Sequence, residues 1–494
     1  MTFEIVFVLL SLLGMVAALI ADKMRPGMIL FSVVVLFLCA GILTPKEMLE
    51  GFSNKGMITV ALLFLVSEGI RQSGTLGQVI KKLLPQGKTT VFKAQLRILP
   101  SVAFISAFLN NTPVVVIFAP IIKHWAKSVN LPATKFLIPL SYVTILGGIC
   151  TLIGTSTNLV VHGMILEAGF EGFSMFELGK VGIFIAIAGI IYIFLFSKRL
   201  LPDARPDTAV PDEEVEEGEK LHRVEAVLGA RFPGINKKLK DFNFQRHYGA
   251  EVKEIKTRNG QRFVSNLEEV VLHEGDTLVV MADDTFIPTW GESSVFVLLT
   301  NGNEPDTTGK KKRWFALLLL VLMIVGATVG ELPVTKEMFP DIKLDMFFFV
   351  SITTIIMAWT NLFPARKYTK YISWDILITI ACAFAISKAM VNSGVADSVA
   401  KFIIGLSDDY GPHVLLAMVF IITNLFTELI TNNAAAALAF PLALSISAQL
   451  GVSPTPFFVV ICMAASASFS TPIGYQTNLI VQGIGNYKFT DFVR

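Results

Sequence analysis

Residues 108 to 122 read FLNNTPVVVIFAPII, with Asn110, Asn111 and Thr112 set inside an otherwise apolar run. In hydrocarbon an unpaired amide or hydroxyl costs roughly 2 to 7 kcal/mol. Such a triplet survives at membrane depth only where other protein groups satisfy it or where it lines a cavity.

The rest of the chain places that stretch in a membrane. Of 494 residues, 53% are hydrophobic and 16% charged, and mean hydropathy is +0.63, too apolar for an ordinary soluble enzyme and too long for one core. Runs near the ~20 residues that cross a bilayer recur at 3–21, 26–43, 56–70, 134–152, 181–197, 314–331, 345–363, 374–392 and 411–430. Shorter or interrupted apolar stretches lie at 98–122, 153–167, 433–450 and 454–486. The first run lacks a basic lead-in and a small-residue cleavage site, so no cleaved signal peptide is expected. The net charge of +2 gives no sign of a nucleic-acid partner. Cys39, Cys150, Cys382 and Cys462 sit in apolar segments without metal-ligand spacing and are expected to be buried small hydrophobes. No nucleophile elbow, phosphate loop, zinc spacing or dinucleotide fingerprint occurs in a credible context, so the chain is read as no enzyme and its energy source as an ion gradient.

Sliding the sequence against itself shows a repeat. TNLVVHG at 157–163 pairs with TNLIVQG at 477–483, and Ser73-Gly74 with Ser393-Gly394, both at an offset of 320. At an offset of 321, NNTPVVVIFAP at 110–120 lies over TNNAAAALAFP at 431–441. Two homologous membrane halves are expected, 1–200 and 314–494. Lysine and arginine in short loops set the orientation. Lys23, Arg25, Arg71, the basic residues between Lys81 and Arg97, Lys123, Lys127, Lys198 and Arg199 mark the inner side of the first half. Lys310 to Arg313, Arg366, Lys367 and Lys370 mark it in the second. The first hairpin then enters from the cytoplasm and the second from outside. The repeats are therefore inverted, the arrangement that places transporter binding sites at the midplane. The counterpart of run 181–197 would begin near residue 500, beyond the last residue, so truncation before a final helix is expected.

Between the halves the character changes. An acidic linker at 201–220 precedes a small α+β domain at 221–290, with alternating segments such as HRVEAVL and DTLVVMAD separated by turn signals. A second linker, 291–313, leads to the second half. By the charge argument the domain is cytoplasmic.

Each half holds two polar clusters: Asn110-Asn111-Thr112 with Gly154 to Asn158, and Thr431-Asn432-Asn433 with Ser470 to Asn478. A broken helix exposes amides at one new end and carbonyls at the other. The amide ends, at roughly +0.5 charge, favour anions, and the carbonyl ends favour cations. Neutral oxygen-rich side chains suit sodium and also supply donors for an anion. Asn and Thr can instead glue helices together, but four clusters repeated by symmetry and flanked by Gly and Pro favour a site. Glu428, three residues before Thr431, is expensive in an apolar run and is a candidate coupling group. Glu68, whose symmetry mate is Lys388, reads as interfacial or structural. His162, aligned with Gln482, reads equally as cavity lining or helix contact.

On these motifs the chain resembles the divalent anion/sodium symporter family, within the ion transporter superfamily that includes citrate transporters. That family carries a Ser-Asn-Thr triplet at each hairpin tip, and here the central asparagines are kept while the flanks vary. The resemblance implies a first sodium site at Asn110, Asn111, Gly154 and Asn158 and a second at Thr431, Asn432, Gly474 and Asn478, sodium being bound as a transported ion. It implies substrate contacts from Asn111, Thr112, Thr157, Asn432, Asn433 and Thr477. It also implies a homodimer in the plasma (inner) membrane, its transport domains moving like elevators. The insert resembles a TrkA C-terminal (RCK-C) domain, which in other transporters binds small regulators. Inserts of this kind together with LNNTPVV and IGTSTNLVVHG resemble the branch linked to sulfate uptake. The expectation is thus a sodium-coupled importer of a divalent anion, sulfate ahead of dicarboxylates or citrate. The alternatives are a cation/proton antiporter using Glu428, and a membrane sensor signalling through the insert.

Overall fold

The computed structural model of the chain describes residues 3–21, 24–203, 222–229, 231–257, 261–283, 286–290, 295–300, 310–405, 411–472 and 474–493. Lys23, most of the acidic linker and residues 258–260, where a turn is expected from sequence, lie outside the described residues. Among the described residues, seven helical stretches are long and apolar enough to cross a membrane, with shorter apolar helices such as Pro26–Cys39 and Met346–Trp359 beside them. The protein is a polytopic helical membrane protein.

The halves correspond element by element. Pro26–Cys39, Lys55–Gln72 and Thr75–Leu83 match Met346–Trp359, Trp374–Asn392 and Val395–Gly405. The turn before Thr75–Leu83 and its counterpart need a left-handed residue, which Gly74 (φ 70°) and Gly394 (φ 76°) supply without a Cβ clash. Val91–Ser106 turns back into Asn111–Ser128, as Gly411–Leu429 turns back into Asn432–Leu450. Leu137–Gly148 breaks and resumes as Ser156–Glu167, and Thr455–Ser466 breaks and resumes as Gln476–Gly485. Small residues let these helices touch backbone to backbone. A Cβ on Gly147 would lie 2.8 Å from the Ala103 carbonyl carbon, and one on Gly56 2.7 Å from the Leu159 oxygen.

Contacts between the halves fix their opposite directions. The end of Gln476–Gly485 meets the start of Leu137–Gly148, where the Tyr487 hydroxyl donates 2.5 Å to the Thr134 carbonyl. At the other end of the bundle Phe170, just past Ser156–Glu167, packs edge-on against Phe458 at the start of Thr455–Ser466, with ring centroids 6.0 Å apart.

The insert is an antiparallel sheet of β1 (His222–Leu228), β2 (Glu251–Lys256), β3 (Arg262–Phe263), β4 (Thr277–Ala282) and β5 (Phe296–Thr300), in the order β3-β2-β4-β1-β5. Strand alternation divides its faces. Val224, Ala226, Leu228, Leu278 and Val280 pack on Phe232, Phe244 and Tyr248, whereas Val227, on the other face, joins the core of the membrane bundle. The sheet runs on to Thr300, so the expected end of this domain at residue 290 is too early: β5 pairs with β1 inside the span read as linker. Its five residues are too few to stand out in the sequence without their partner strand.

That sheet rests on two elements that carry the polar clusters. Lys123, on Asn111–Ser128, lies 3.1 Å from Glu225 of β1. Gly275 lies so close to Leu479 that a Cβ there would be 3.4 Å away. Burial would raise the Glu225 pKa, but Lys123, Lys256 and Arg223 outweigh it and hold it at about 2. A depressed carboxylate contributes stability above its unfolded pKa and loses it as pH falls toward the folded one. Docking of the sheet, followed by a donor-acceptor dye pair on the sheet and the bundle, is therefore expected to hold from neutral pH to about pH 4.5 and weaken between there and pH 2. Glu225→Gln is expected to remove that acid transition.

Two expectations about single residues divide. Cys382 and Cys462 are buried, but Cys39 is exposed and Cys150 only half-buried. Cys39 is the last residue of its helix and faces away from the bundle, where an apolar surface is what lipid requires. Glu68 pairs with Arg71 on its own helix at 2.7 Å and accepts from Gln72, a structural arrangement.

Candidate functional site

The asparagine at each hairpin tip is held from five residues upstream. Ser106 donates to Asn111 Oδ1 at 2.8 Å, and Thr427 donates to Asn432 Oδ1 at 2.7 Å. Asn111 is 1% exposed, and its amide lies against the first break: a Cβ on Gly148 would be 2.6 Å from Asn111 Oδ1 and 3.1 Å from the Gly154 oxygen.

The breaks are stitched by equivalent bonds. Asn158 donates from Nδ2 to the carbonyls of Thr151 and Gly148, at 2.9 and 3.3 Å. Asn478 donates to those of Ser468 and Thr471, at 2.9 and 3.1 Å. The Gly154 amide donates to Thr151 Oγ1 and the Gly474 amide to Thr471 Oγ1, at 3.2 and 3.1 Å. Each asparagine thus spends its donor half on carbonyls that the broken helix leaves bare. Its acceptor half faces the interior. Among the described residues Asn158 Oδ1 is buried without a hydrogen-bond partner, as are the hydroxyls of Ser466 and Ser468, whereas Asn478 Oδ1 meets the Ser141 hydroxyl at 2.7 Å. Buried oxygens without donors are uncommon and call for an explanation.

Across the repeats the four restarted helices are linked at their N-termini. Asn111 Nδ2 donates 2.6 Å to the Tyr475 hydroxyl, which also lies 3.3 Å from Thr155 Oγ1. Thr112 reaches Gln476 Oε1 at 3.4 Å. Asn433 Oδ1 accepts from Thr157 at 3.2 Å and Ser156 at 3.4 Å. The N-caps Asn110, Thr155 and Tyr475 make no side-chain cap bond, so no capping side chain occupies the N-terminal amides of their helices, whereas Thr431 accepts from the Ala434 amide. Four positive helix ends therefore converge on one place.

The remaining expected residues fall around this centre. Asn110 lines a cavity with Ser156, Leu159, Val60 and Ser67. Thr477 turns instead to Ser141, 2.9 Å away, and is fully buried. Glu428 accepts from the Ser470 amide at 3.0 Å, fastening hairpin to break, with its other oxygen buried and unpartnered among the described residues. Among the described residues His162 Nδ1 and both amide atoms of Gln482 are likewise buried without a bond. Sequence reasoning passed over Tyr475, Ser106, Thr427, Ser141 and Ser468. Two of them were within reach: Ser106 and Thr427 stand 321 apart, at the offset of the hairpin repeat.

A family model described as a citrate transporter matches residues 16–451 and, overlapping it, 342–494. An uncharacterized transporter of Synechocystis sp. is 29% identical, the match covering 94% of this chain and 89% of that protein. An uncharacterized transporter of Escherichia coli is 25% identical over 99% of this chain and 96% of that one. A sodium/sulfate cotransporter of Chlamydomonas reinhardtii is 33% identical over 58% of this chain but only 32% of its own length.

Proposed function

The chain belongs to the citrate transporter family, and from that premise we propose that it carries a divalent oxyanion, sulfate ahead of dicarboxylates or citrate, together with sodium. It is a membrane transporter and not an enzyme. The observation that carries the reading is the linkage of four helix N-termini through neutral side chains. Backbone dipoles there favour an anion, and no lysine or arginine is needed among Asn111, Thr112, Thr155, Tyr475 and Asn433. Sodium supplies the missing charge. Asn158 Oδ1, the Ser466 and Ser468 hydroxyls and the carbonyl ends of the broken helices are hard oxygen donors of the type such an ion takes. Sodium and sulfate both appear in the names of the Chlamydomonas relatives.

The inverted halves support alternating access about the midplane, with the hairpins and broken helices moving together as an elevator and the Lys55–Gln72 and Trp374–Asn392 elements belonging to the scaffold. A homodimer in the plasma membrane and a cytoplasmic regulatory role for the sheet, as an RCK-C domain with a small-molecule ligand, complete the proposal. Glu428 acts in it as a fastening between hairpin and break.

Uptake of labelled sulfate, succinate and citrate into proteoliposomes is expected to require an inward sodium gradient, with sulfate fastest. Uptake equal in sodium and potassium would overturn the coupling. Sodium efflux driven by a proton gradient without any anion would move the assignment to an antiporter working through Glu428.

A further inference from the structure

The two breaks are alike at most positions: Thr151 and Thr471, Gly154 and Gly474, Thr157 and Thr477, Asn158 and Asn478. They part at the N-caps, where the small Thr155 of the first break is answered by Tyr475 in the second. Residues related by the repeat approach each other only near its axis, and here Thr155 Oγ1 and the Tyr475 hydroxyl are 3.3 Å apart. The phenol therefore stands on the line between the halves, in the space enclosed by the four helix N-termini. Its hydroxyl is held by Asn111 at 2.6 Å, and both Asn111 and Thr155 are 1% exposed.

We propose, resting on the anion-site reading above, that Tyr475 sets the substrate's size and supplies one of its donors, so that the site takes a compact tetrahedral oxyanion and excludes extended di- and tricarboxylates. The ring fills length along the axis that a four-carbon chain would need. The hydroxyl has one proton and two lone pairs. With Asn111 Nδ2 donating to one lone pair and the Thr155 hydroxyl, 3.3 Å away, donating to the other, that proton is left for an anion oxygen at the helix ends. The rigid phenol, unlike a threonine in the same place, cannot withdraw to admit a longer molecule.

The test compares wild type, Tyr475→Thr and Tyr475→Phe in uptake of sulfate and succinate driven by an inward sodium gradient, with folding checked by size-exclusion profile. Tyr475→Thr, which restores the residue of the first break, is expected to shift the succinate-to-sulfate ratio of kcat/KM upward by about tenfold or more. Tyr475→Phe keeps the ring and loses the donor. It is expected to raise the KM for sulfate about tenfold, leaving succinate excluded and sodium dependence intact. Wild-type preference in Tyr475→Thr, or an unchanged sulfate KM in Tyr475→Phe, overturns the proposal. If Tyr475→Thr fails to insert, the sulfate KM of Tyr475→Phe decides alone. A wild-type protein that moves neither anion with sodium would defeat the anion-site reading itself, a result separable from failure of the tyrosine's role.

Discussion

Asn111→Ala is expected to abolish sodium-driven anion uptake while the protein still inserts and purifies as wild type. The alanine removes the acceptor of the Ser106 hydroxyl and the donor to Tyr475, both in places with almost no water. Each polar group left unpartnered in such a place costs about 1–3 kcal/mol. The Ser106 hydroxyl loses its Asn111 acceptor and the Tyr475 hydroxyl keeps only its 3.3 Å contact to Thr155, and these two losses at the tip make a fall of about a hundredfold the expected scale. Asn432→Ala is expected to act in the same direction but less severely, because Thr427 keeps its bond to the Ala465 carbonyl at 2.6 Å when the amide is gone. Uptake by both variants at the wild-type rate would show the asparagines to be interhelical glue. The readout is initial-rate uptake, with melting temperature as the control for folding.

The glycines of the breaks give the second large effect, and an unequal one. A Cβ on Gly154 would lie 2.7 Å from Gly148 Cα and 2.9 Å from its carbonyl carbon, backbone atoms that cannot swing aside. A Cβ on Gly148 would press on the Asn111 amide. Gly148→Ala and Gly154→Ala are therefore expected to lose uptake and to lower stability by about 1–3 kcal/mol, the usual scale of overpacking. Gly474→Ala meets most closely the Ser468 hydroxyl, a side chain that can rotate, and at 3.2 Å the Thr471 hydroxyl and the Thr427 carbonyl oxygen, the one backbone atom among them and farther off than those facing Gly154. It is expected to retain measurable uptake. Equal behaviour of Gly154→Ala and Gly474→Ala in uptake and melting would contradict this packing of the first break.

Much of this architecture was legible because a membrane leaves few choices. Apolar runs had to be helices, and a polar triplet with a counterpart 321 residues later had to be a repeated feature. Asn158 and Asn478 could be paired from sequence alone. Which half of each amide stitches the break and which faces inward is a matter of rotamer, visible only in three dimensions. Tyr475 was hidden for another reason: the offset that revealed the repeat rewards identity, and this position departs from its mate. The edge strand β5 escaped because its partner β1 lies some 70 residues earlier. Cys39 was misjudged because apolar surroundings in sequence do not distinguish a lipid-facing residue from a buried one.

Coupling is the claim on which the rest depends, since neutral side chains and helix ends can hold a divalent anion in a membrane only if sodium brings the compensating charge. Parallel measurement of sulfur-35 sulfate and sodium-22 entry into the same proteoliposomes tests it most directly. Both fluxes are expected to rise together and to stop together in Asn111→Ala, and concentrative sulfate entry is expected to vanish when a sodium ionophore collapses the gradient. Sulfate entering at an undiminished rate with choline in place of sodium, and with no sodium-22 accompanying it, would contradict that claim.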